Sequence, residues 1–295
     1  MVQQLAGILL PVFIVTGVGF AWSKLKMPLE RDSVARLVMN IATPCLILDS
    51  VSKLTLPVAE FFMMLLSALA LIAGSAVCGV IILKLARLPA HSFLPALTFG
   101  NAGNMGLPLC LFAFGEVGLG LGVTVYLVAV VTQFTLAPAI QDRLPPLQAL
   151  AKTPAIYGSI VGVLLLSSGA QLPGWLDTAV GLLADIAIPL SLLMLGFCLA
   201  ELRVKRVPLA LGLGLARLIL GLVVALIVAE ALGLTGIARG VLILHGGMPT
   251  AVFSYLLSAR YQRDPEDVAG VVLVSTLVSV VSLPFLVSYV LWTSQ

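Results

Sequence analysis

The sequence feature that most constrains the fold is an interruption inside a long apolar segment. Residues 91–114 contain no Asp, Glu, Lys or Arg, yet the stretch from Gly100 to Pro108 holds two asparagines, three glycines and a proline. These residues oppose a continuous helix, because proline lacks an N–H and glycine is flexible. In a membrane, the freed backbone groups are costly unless they are buried in protein or line a polar cavity. The stretch therefore predicts either a kink used for packing or a discontinuous helix at a binding site.

A second apolar segment, residues 236–259, is interrupted in the same way between His245 and Thr250. The sequence Gly247-Met248-Pro249 matches Gly106-Leu107-Pro108 and lies 141 positions further along the chain (247 − 106). Corresponding broken segments in the two halves of one chain are the best sequence indication of a transporter's binding site.

Composition places these segments in a membrane. The chain has 295 residues, of which 60% are hydrophobic and 10% charged, whereas about a quarter of the residues in a soluble domain are charged. The net charge of +3 does not indicate nucleic acid, because the basic residues lie in short loops. The four cysteines all fall in apolar segments and form no C-x-x-C pair, so we expect no disulfide framework, metal site or cofactor. The sequence predicts an all-α polytopic membrane protein.

With about 20 apolar residues for each crossing, the sequence predicts ten transmembrane spans. They are residues 5–22, 33–51, 58–85, 91–114, 118–139, 154–169, 175–200, 208–232, 236–259 and 267–292.

The distribution of basic residues predicts the orientation of these spans. Thirteen of the 16 Lys and Arg residues belong to the odd-numbered loops, and only Lys53 and Arg239 to the even-numbered ones. Basic residues accumulate in cytoplasmic loops. We therefore expect cytoplasmic odd loops and both termini on the periplasmic or extracellular side.

The two halves of the chain share further landmarks at nearly constant spacing. Pro11 corresponds to Pro154, the stretch 40–44 to the stretch 185–189, and Pro138 to Pro284. Each half holds five spans, an odd number, so the second half must cross the membrane in the opposite sense. This predicts a 5+5 inverted repeat, with a first repeat at 1–139, a short cytoplasmic linker at 140–153 and a second repeat at 154–295.

An inverted repeat brings the broken spans four and nine together near the membrane midplane. Pro108 and Pro249 suit the first turn of a second half-helix, where no N–H is needed. Two half-helix N-termini carry partial positive charge and free N–H donors, which predicts a site for an anionic group such as a carboxylate. The candidate substrate-binding residues are Asn101, Gly103, Asn104, Met105, Gly106, Pro108, His245, Gly246, Gly247, Pro249 and Thr250.

Two charged residues lie deep inside predicted spans. Arg217 is about ten residues inside span eight, where an unpaired guanidinium is costly. Its partner could be Asp185, which lies at similar depth in span seven, or a bound carboxylate, or backbone carbonyls at a helix break. Asp185 could alternatively line the cavity or carry a proton that couples transport.

Two parts of the sequence resemble the auxin efflux carrier family: the stretch Gly100–Pro108 and the run from His245 through Arg260-Tyr261 to Pro265. The bacterial members of that family include malonate- and malate-permease-like proteins, and its plant members include the PIN-FORMED auxin exporters. The resemblance covers the whole chain. This sequence departs from the plant motif at His245, where those exporters have Gln, and it lacks their long central loop.

The resemblance implies a fold similar to bile-acid sodium symporters, with a scaffold (5–51 and 154–200) and a transport domain (58–139 and 208–292) that moves in an elevator-type, alternating-access cycle. It also implies a homodimer joined through the scaffold, in a bacterial inner membrane.

The leading functional interpretation is a secondary active or facilitative transporter of small organic anions such as malonate, malate or auxin-like aromatic acids. The chain has no phosphate-binding loop for ATP hydrolysis. A sodium- or proton-coupled symporter of larger anions and a ligand-sensing receptor on a transporter fold are the alternatives. An intramembrane hydrolase using Ser254 and His245 is disfavoured, because nine residues of spacing does not place them on one helical face and no nucleophile-elbow motif is present. We therefore expect the protein not to be an enzyme.

Overall fold

The structure is a computed structural model, and it describes residues 2–53, 58–142 and 154–294. Most of the predicted linker, including Arg143 and Lys152, lies outside these residues. Within them the chain is helical and forms no β-strand beyond one isolated bridge. The helices are α1 Val2–Lys24, α2 Arg31–Leu37, α3 Thr43–Ser52, α4 Val58–Leu85, α5 Ala90–Thr98, α6 Leu107–Asp142, α7 Pro154–Ser168, α8 Gly174–Asp185, α9 Ala187–Glu201, α10 Val207–Ala231, α11 Gly236–Gly246, α12 Val252–Arg260 and α13 Pro265–Thr293.

The membrane character predicted from composition is confirmed. Seven helical stretches in the described part of the chain are long and apolar enough to cross a membrane. They are Gln3–Lys24, Ser33–Ser52, Ala59–Leu85, Ala102–Gln133, Gly174–Glu201, Val207–Ala231 and Pro265–Thr293. Many of their large apolar side chains, such as Leu10 and Ile14 of α1, are exposed, as expected for a surface that meets lipid. The protein is a multi-pass membrane protein; the count of ten spans stays a prediction.

Several helices are interrupted where the sequence contains proline or glycine. A π-helical segment, Val38–Ala42, precedes α3, which has Pro44 in its first turn. The boundary between α8 and α9 falls four residues before Pro189, whose missing N–H would otherwise bond to the carbonyl of Asp185. Gly115 interrupts α6 with φ 64° and ψ −154°, a left-handed conformation that favours glycine. This residue lies at the predicted boundary between spans four and five.

The helices pack in two groups. In the first, α1 packs along α9, and α3 packs against α7 and α8. The α1–α9 contact is close because Gly196 has no side chain: a Cβ there would overlap the carbonyl of Thr16. In the second group, α10 packs against α4, α11 and α13, and α6 packs against α11 and α4. The helix breaks lie within the second group and face the first.

Candidate functional site

The two predicted helix breaks meet and are joined by backbone hydrogen bonds. The N–H of Asn101 donates to the carbonyl of Pro249 at 2.7 Å, and the N–H of Ala251 donates to the carbonyl of Phe99 at 3.0 Å. Both breaks expose backbone groups that a continuous helix would have paired internally. Each break therefore satisfies part of the other's backbone in a membrane protein's interior, where unpaired groups are costly.

Thr250, in the second break, helps to hold the two breaks together at the place where they meet, here called the crossing. It forms an antiparallel β-bridge with Gly100. Its Oγ1 donates to the carbonyl of Ala96 at 3.1 Å, and its N–H donates to Oγ of Ser275 at 3.1 Å. Thr250 is fully buried. Its polar groups are therefore engaged within the protein, which makes this predicted substrate ligand a structural residue.

A cavity of about 160 Å³ lies between the two groups of helices, beside the crossing. The first group contributes residues of α3, α9 and the π-helical segment before α3; the second contributes the first break, α6 and α12. None of the described residues that line the cavity is charged. Its polar side chains are those of Thr43, Asn101, Asn104, Tyr126, Gln133 and Ser191.

Two carboxamide groups at this cavity have unused donors. Asn101 is 4% exposed and Gln133 is 7% exposed. Neither Nδ2 of Asn101 nor Nε2 of Gln133 has a hydrogen-bond partner among the described residues. A buried polar group without a partner costs free energy. Because both residues line the cavity, a bound ligand with acceptor oxygens would relieve that cost at both positions.

Two helix N-termini also face the cavity. A π-helical segment, Ala102–Gly106, restarts the chain after Asn101 and leads into α6, so Gly103 and Asn104 lie in its first turn. Val252 begins α12 and also lines the cavity. First-turn N–H groups have no intrahelical acceptor and carry partial positive charge. Both features favour an anion at this place.

The structure corrects the predicted roles of the two prolines. Pro108 lies in α6, but the helical turn begins six residues earlier, at Ala102. Pro249 is not in a helix at all, because α12 begins at Val252. Pro249 instead supplies a carbonyl that accepts the bond from Asn101. Neither proline lines the cavity.

The other predicted ligands lie behind the cavity wall. His245 is buried, its Nδ1 donates to the carbonyl of Val241 at 3.0 Å, and its imidazole fills the space left by Gly106. A Cβ on Gly106 would lie 2.9 Å from Nε2 of His245. His245, Met105, Gly106, Gly246 and Gly247 are all outside the cavity lining. These residues shape the crossing, and Asn101, Gly103 and Asn104 are the predicted ligands that reach the cavity.

Four polar residues of the cavity lining are not among the ligands predicted from the sequence: Thr43, Tyr126, Gln133 and Ser191. The ring of Tyr126 fits beside the first break because Gly103 has no side chain: a Cβ there would lie 2.8 Å from Cε2 of Tyr126. The one sequence feature that could have indicated this part of the site is Gln133, which lies within the apolar residues 118–139. Uncharged amides are rare within apolar spans.

Arg217 and Asp185 do not form an ion pair. Arg217 is 2% exposed and lies in α10, in the second group of helices. Asp185 is exposed at the end of α8, in the first group, and no ion pair in the described part of the chain joins the two. The pairing alternative is therefore wrong, because the two residues belong to helices that pack in different groups. Asp185 also lies outside the cavity lining.

The sequence matches the model of a family described as membrane transport protein, over residues 6–141 and 146–287. The chain belongs to this family, the auxin efflux carrier family. The match spans both helix breaks and nearly the whole chain. The family consists of membrane transporters rather than enzymes, in agreement with the prediction made from the sequence.

Relatives of this family member have been found in archaea and bacteria. An uncharacterized transporter of Methanocaldococcus jannaschii is 26% identical over 92% of this chain and 94% of its own length. An uncharacterized transporter of Methanothermobacter thermautotrophicus is 25% identical over 93% of this chain and 95% of its own. A protein of Rhizobium meliloti, provisionally named a malonate transporter, is 28% identical over 63% of this chain and 62% of its own length.

Proposed function

We propose that this protein is a secondary transporter of small organic anions, and that the carboxylate of the substrate binds beside the crossing of the two breaks. The observation that carries the proposal is the pair of buried, unpartnered carboxamide nitrogens of Asn101 and Gln133 at one cavity. A carboxylate is an acceptor-only group with two oxygens. It would satisfy both amides and would face the first-turn N–H groups of two helices.

The cavity also limits the kind of anion. A volume of about 160 Å³ suits a small molecule. The rest of the lining is largely apolar and includes Met39, Met194, Phe253 and Leu256. Malonate, malate and auxin-like aromatic acids are the candidates, and the name of the Rhizobium meliloti relative favours including malonate.

The proposed mechanism is elevator-type alternating access. We propose ten spans in a 5+5 inverted repeat (1–139 and 154–295), with a scaffold at 5–51 and 154–200 and a transport domain at 58–139 and 208–292. Two observations support it: the helices pack in two groups that match these ranges, and the cavity lies between the groups. The transport domain would carry the crossing and Asn101 past the scaffold. A homodimer through the scaffold, an inner-membrane location and periplasmic termini belong to the same proposal.

Gln133→Leu gives the sharpest test. Removing one hydrogen bond to a charged ligand group costs about 1.5–3 kcal/mol, or about 10- to 150-fold in affinity. Because Nε2 of Gln133 has no partner in the described part of the protein, replacing the side chain by an apolar one of similar size should leave stability unchanged or raise it. A loss of binding together with unimpaired stability separates a ligand contact from a structural one.

The measurement is a thermal-shift titration of purified protein with malonate, malate, benzoate and indole-3-acetate, followed by flux of the binding anion in proteoliposomes. A ligand at about 100 times its Kd stabilises the native state by about 2.7 kcal/mol. Gln262→Leu is the matched control, since Gln262 is exposed and its Nε2 bonds to the carbonyl of Ala259. No stabilisation by any carboxylate, or equal affinity in Gln133→Leu and wild type, would refute the site. Adding sodium or a pH gradient to the flux assay distinguishes a coupled symporter, and binding without flux would indicate a receptor.

A further inference from the structure

Arg217 is a buried positive charge that has no carboxylate partner in the described part of the protein. It is 2% exposed, and neither Nε nor Nη1 has a hydrogen-bond partner among the described residues. The other buried charged side chain there, Asp267, is paired with Arg206. A buried charge without a counter-charge is costly. Its burial beside the crossing therefore needs compensation from its surroundings.

Two glycines hold the guanidinium directly behind the cavity wall. A Cβ on Gly100 would overlap Nη2 of Arg217, and a Cβ on Gly221 would overlap Nη1. Gly100 lines the cavity, whereas Arg217 does not. The guanidinium therefore packs against the backbone of Gly100, a residue of the cavity wall, without lining the cavity itself.

The surrounding backbone gives Arg217 only partial charge compensation. The C-terminal residues of α11 lie close by: a Cβ on Gly100 would be 3.3 Å from the carbonyl oxygen of His245, and one on Gly221 would overlap the carbonyl oxygen of Gly246. Helix C-termini carry partial negative charge and favour a nearby cation. The crossing thus has Arg217 at a helix C-terminus on one side and helix N-termini on its cavity side. A partial dipole charge does not neutralise a full positive charge.

We infer that Arg217 supplies the positive charge of the anion site from behind the backbone, without touching the anion. The inference rests on the proposed function and adds a residue that determines selectivity for anions over neutral ligands. The described residues of the lining are themselves uncharged, and in a low-dielectric interior a fixed charge acts over several ångströms. Because the effect depends on charge and not on contact geometry, lysine should replace arginine at this position, whereas a bidentate contact would not tolerate the exchange.

The test compares a carboxylate with its neutral amide in three variants. Benzoate and benzamide, or indole-3-acetate and indole-3-acetamide, are titrated against wild type, Arg217→Lys, Arg217→Gln and Arg239→Gln by thermal shift and equilibrium binding. Arg239→Gln is the control, because it removes one positive charge from a residue paired with Glu230 outside the cavity lining. In Arg217→Gln we expect carboxylate affinity to fall about 10-fold or more, with amide affinity within about twofold of wild type. Arg217→Lys and Arg239→Gln should bind both ligands as wild type does.

Two outcomes would decide against the inference. Equal losses for carboxylate and amide in Arg217→Gln would show a purely structural role. A loss of carboxylate affinity in Arg217→Lys would show direct contact. If Arg217→Gln does not fold, Arg217→Lys still decides, because retained preference for the carboxylate supports a charge effect and a lost preference overturns it. The proposed function fails separately, when no carboxylate binds the wild-type protein.

Discussion

The break that begins at Gly100 and the break that follows Gly246 share a Gly-x-Pro sequence, but they present different chemistry to the cavity. The first restarts as a helix at Ala102, so a polar side chain and first-turn N–H groups reach the cavity. The second stays non-helical from Gly247 to Ala251 and restarts at Val252. Its polar residues bond within the protein, and the residues it turns toward the cavity are apolar. On the proposed function, the first break supplies the polar side chain that recognises the ligand. The second break supports the crossing and adds apolar side chains around the N-terminus of α12.

The largest expected effect is at the packing of the second break. A Cβ on Gly246 would overlap the Cβ of Ala225 and lie 2.5 Å from the carbonyl oxygen of Gly221. Gly246→Val should therefore destabilise the protein by about 3 kcal/mol, since overpacking a well-packed core costs about 1–3 kcal/mol or more. Gly212→Val is the matched control, because nothing lies within 4 Å of a Cβ there. Melting temperatures and the yield of folded protein compare the two, and equal values would contradict the close contact.

Asn101→Ala, in the first break, should weaken ligand binding without destabilising the protein. Its side-chain nitrogen has no partner among the described residues, so we expect little change in melting temperature. Carboxylate affinity should fall about 10- to 150-fold, the cost of one hydrogen bond to a charged group. Titration of the best-binding carboxylate measures this. Wild-type carboxylate affinity in Asn101→Ala would mean that the first break does not recognise the ligand.

Thr250→Val should give the opposite result. The Oγ1–H of Thr250 donates to the buried carbonyl of Ala96 at 3.1 Å, and leaving a buried acceptor unpaired costs about 1–3 kcal/mol of stability. Because Thr250 does not line the cavity, affinity should change by less than about threefold. The same ligand titration and melting curves measure both effects. A large loss of affinity with full stability would mean that the second break, rather than the first, binds the ligand.

The smallest expected effect is at the apolar wall. Phe253→Leu removes an aromatic ring from the cavity lining, and an aromatic contact is worth about 0.5–1.5 kcal/mol beyond its area. Affinity for benzoate or indole-3-acetate should fall by about 2- to 12-fold, while affinity for malonate should not change. A parallel loss for malonate would show that Phe253 acts on the shape of the site rather than on the ligand's apolar body.

The positions of the breaks were predictable because glycine, asparagine and proline act through the local backbone. The all-helical, multi-pass class and the transport family were predictable for similar reasons, from hydropathy and short motifs. The role of each polar residue could not be predicted from the sequence. Asn101 and Thr250 look equally suitable as ligands in the sequence, and only the crossing shows that Thr250 bonds to Ala96 and Ser275. Gln133 joins the site from another helix, and no local pattern connects it to Asn101.

Arg217 and Asp185 show that the partners of buried charges could not be predicted from the sequence either. Depth within a span suggested a pair, but depth does not specify which neighbour a helix faces. The exposed carboxyl of Asp185 and the buried guanidinium of Arg217 belong to separate groups of helices. Similarly, the sequence predicts Pro249 at the start of a helix. In the structure its carbonyl instead accepts the hydrogen bond from Asn101 that joins the breaks.

The buried charge of Arg217 has a consequence for the energetics of a transport cycle. If the crossing moves through the membrane, the empty carrier moves one uncompensated positive charge, whereas the carrier loaded with a monocarboxylate moves none. A full charge crossing a potential of 100 mV changes in energy by about 2.3 kcal/mol, so the membrane voltage acts on the return of the empty carrier and not on the loaded step. Desolvation also penalises the empty carrier. Exchange of one anion for another, with the site occupied in both directions, would therefore be faster than net transport.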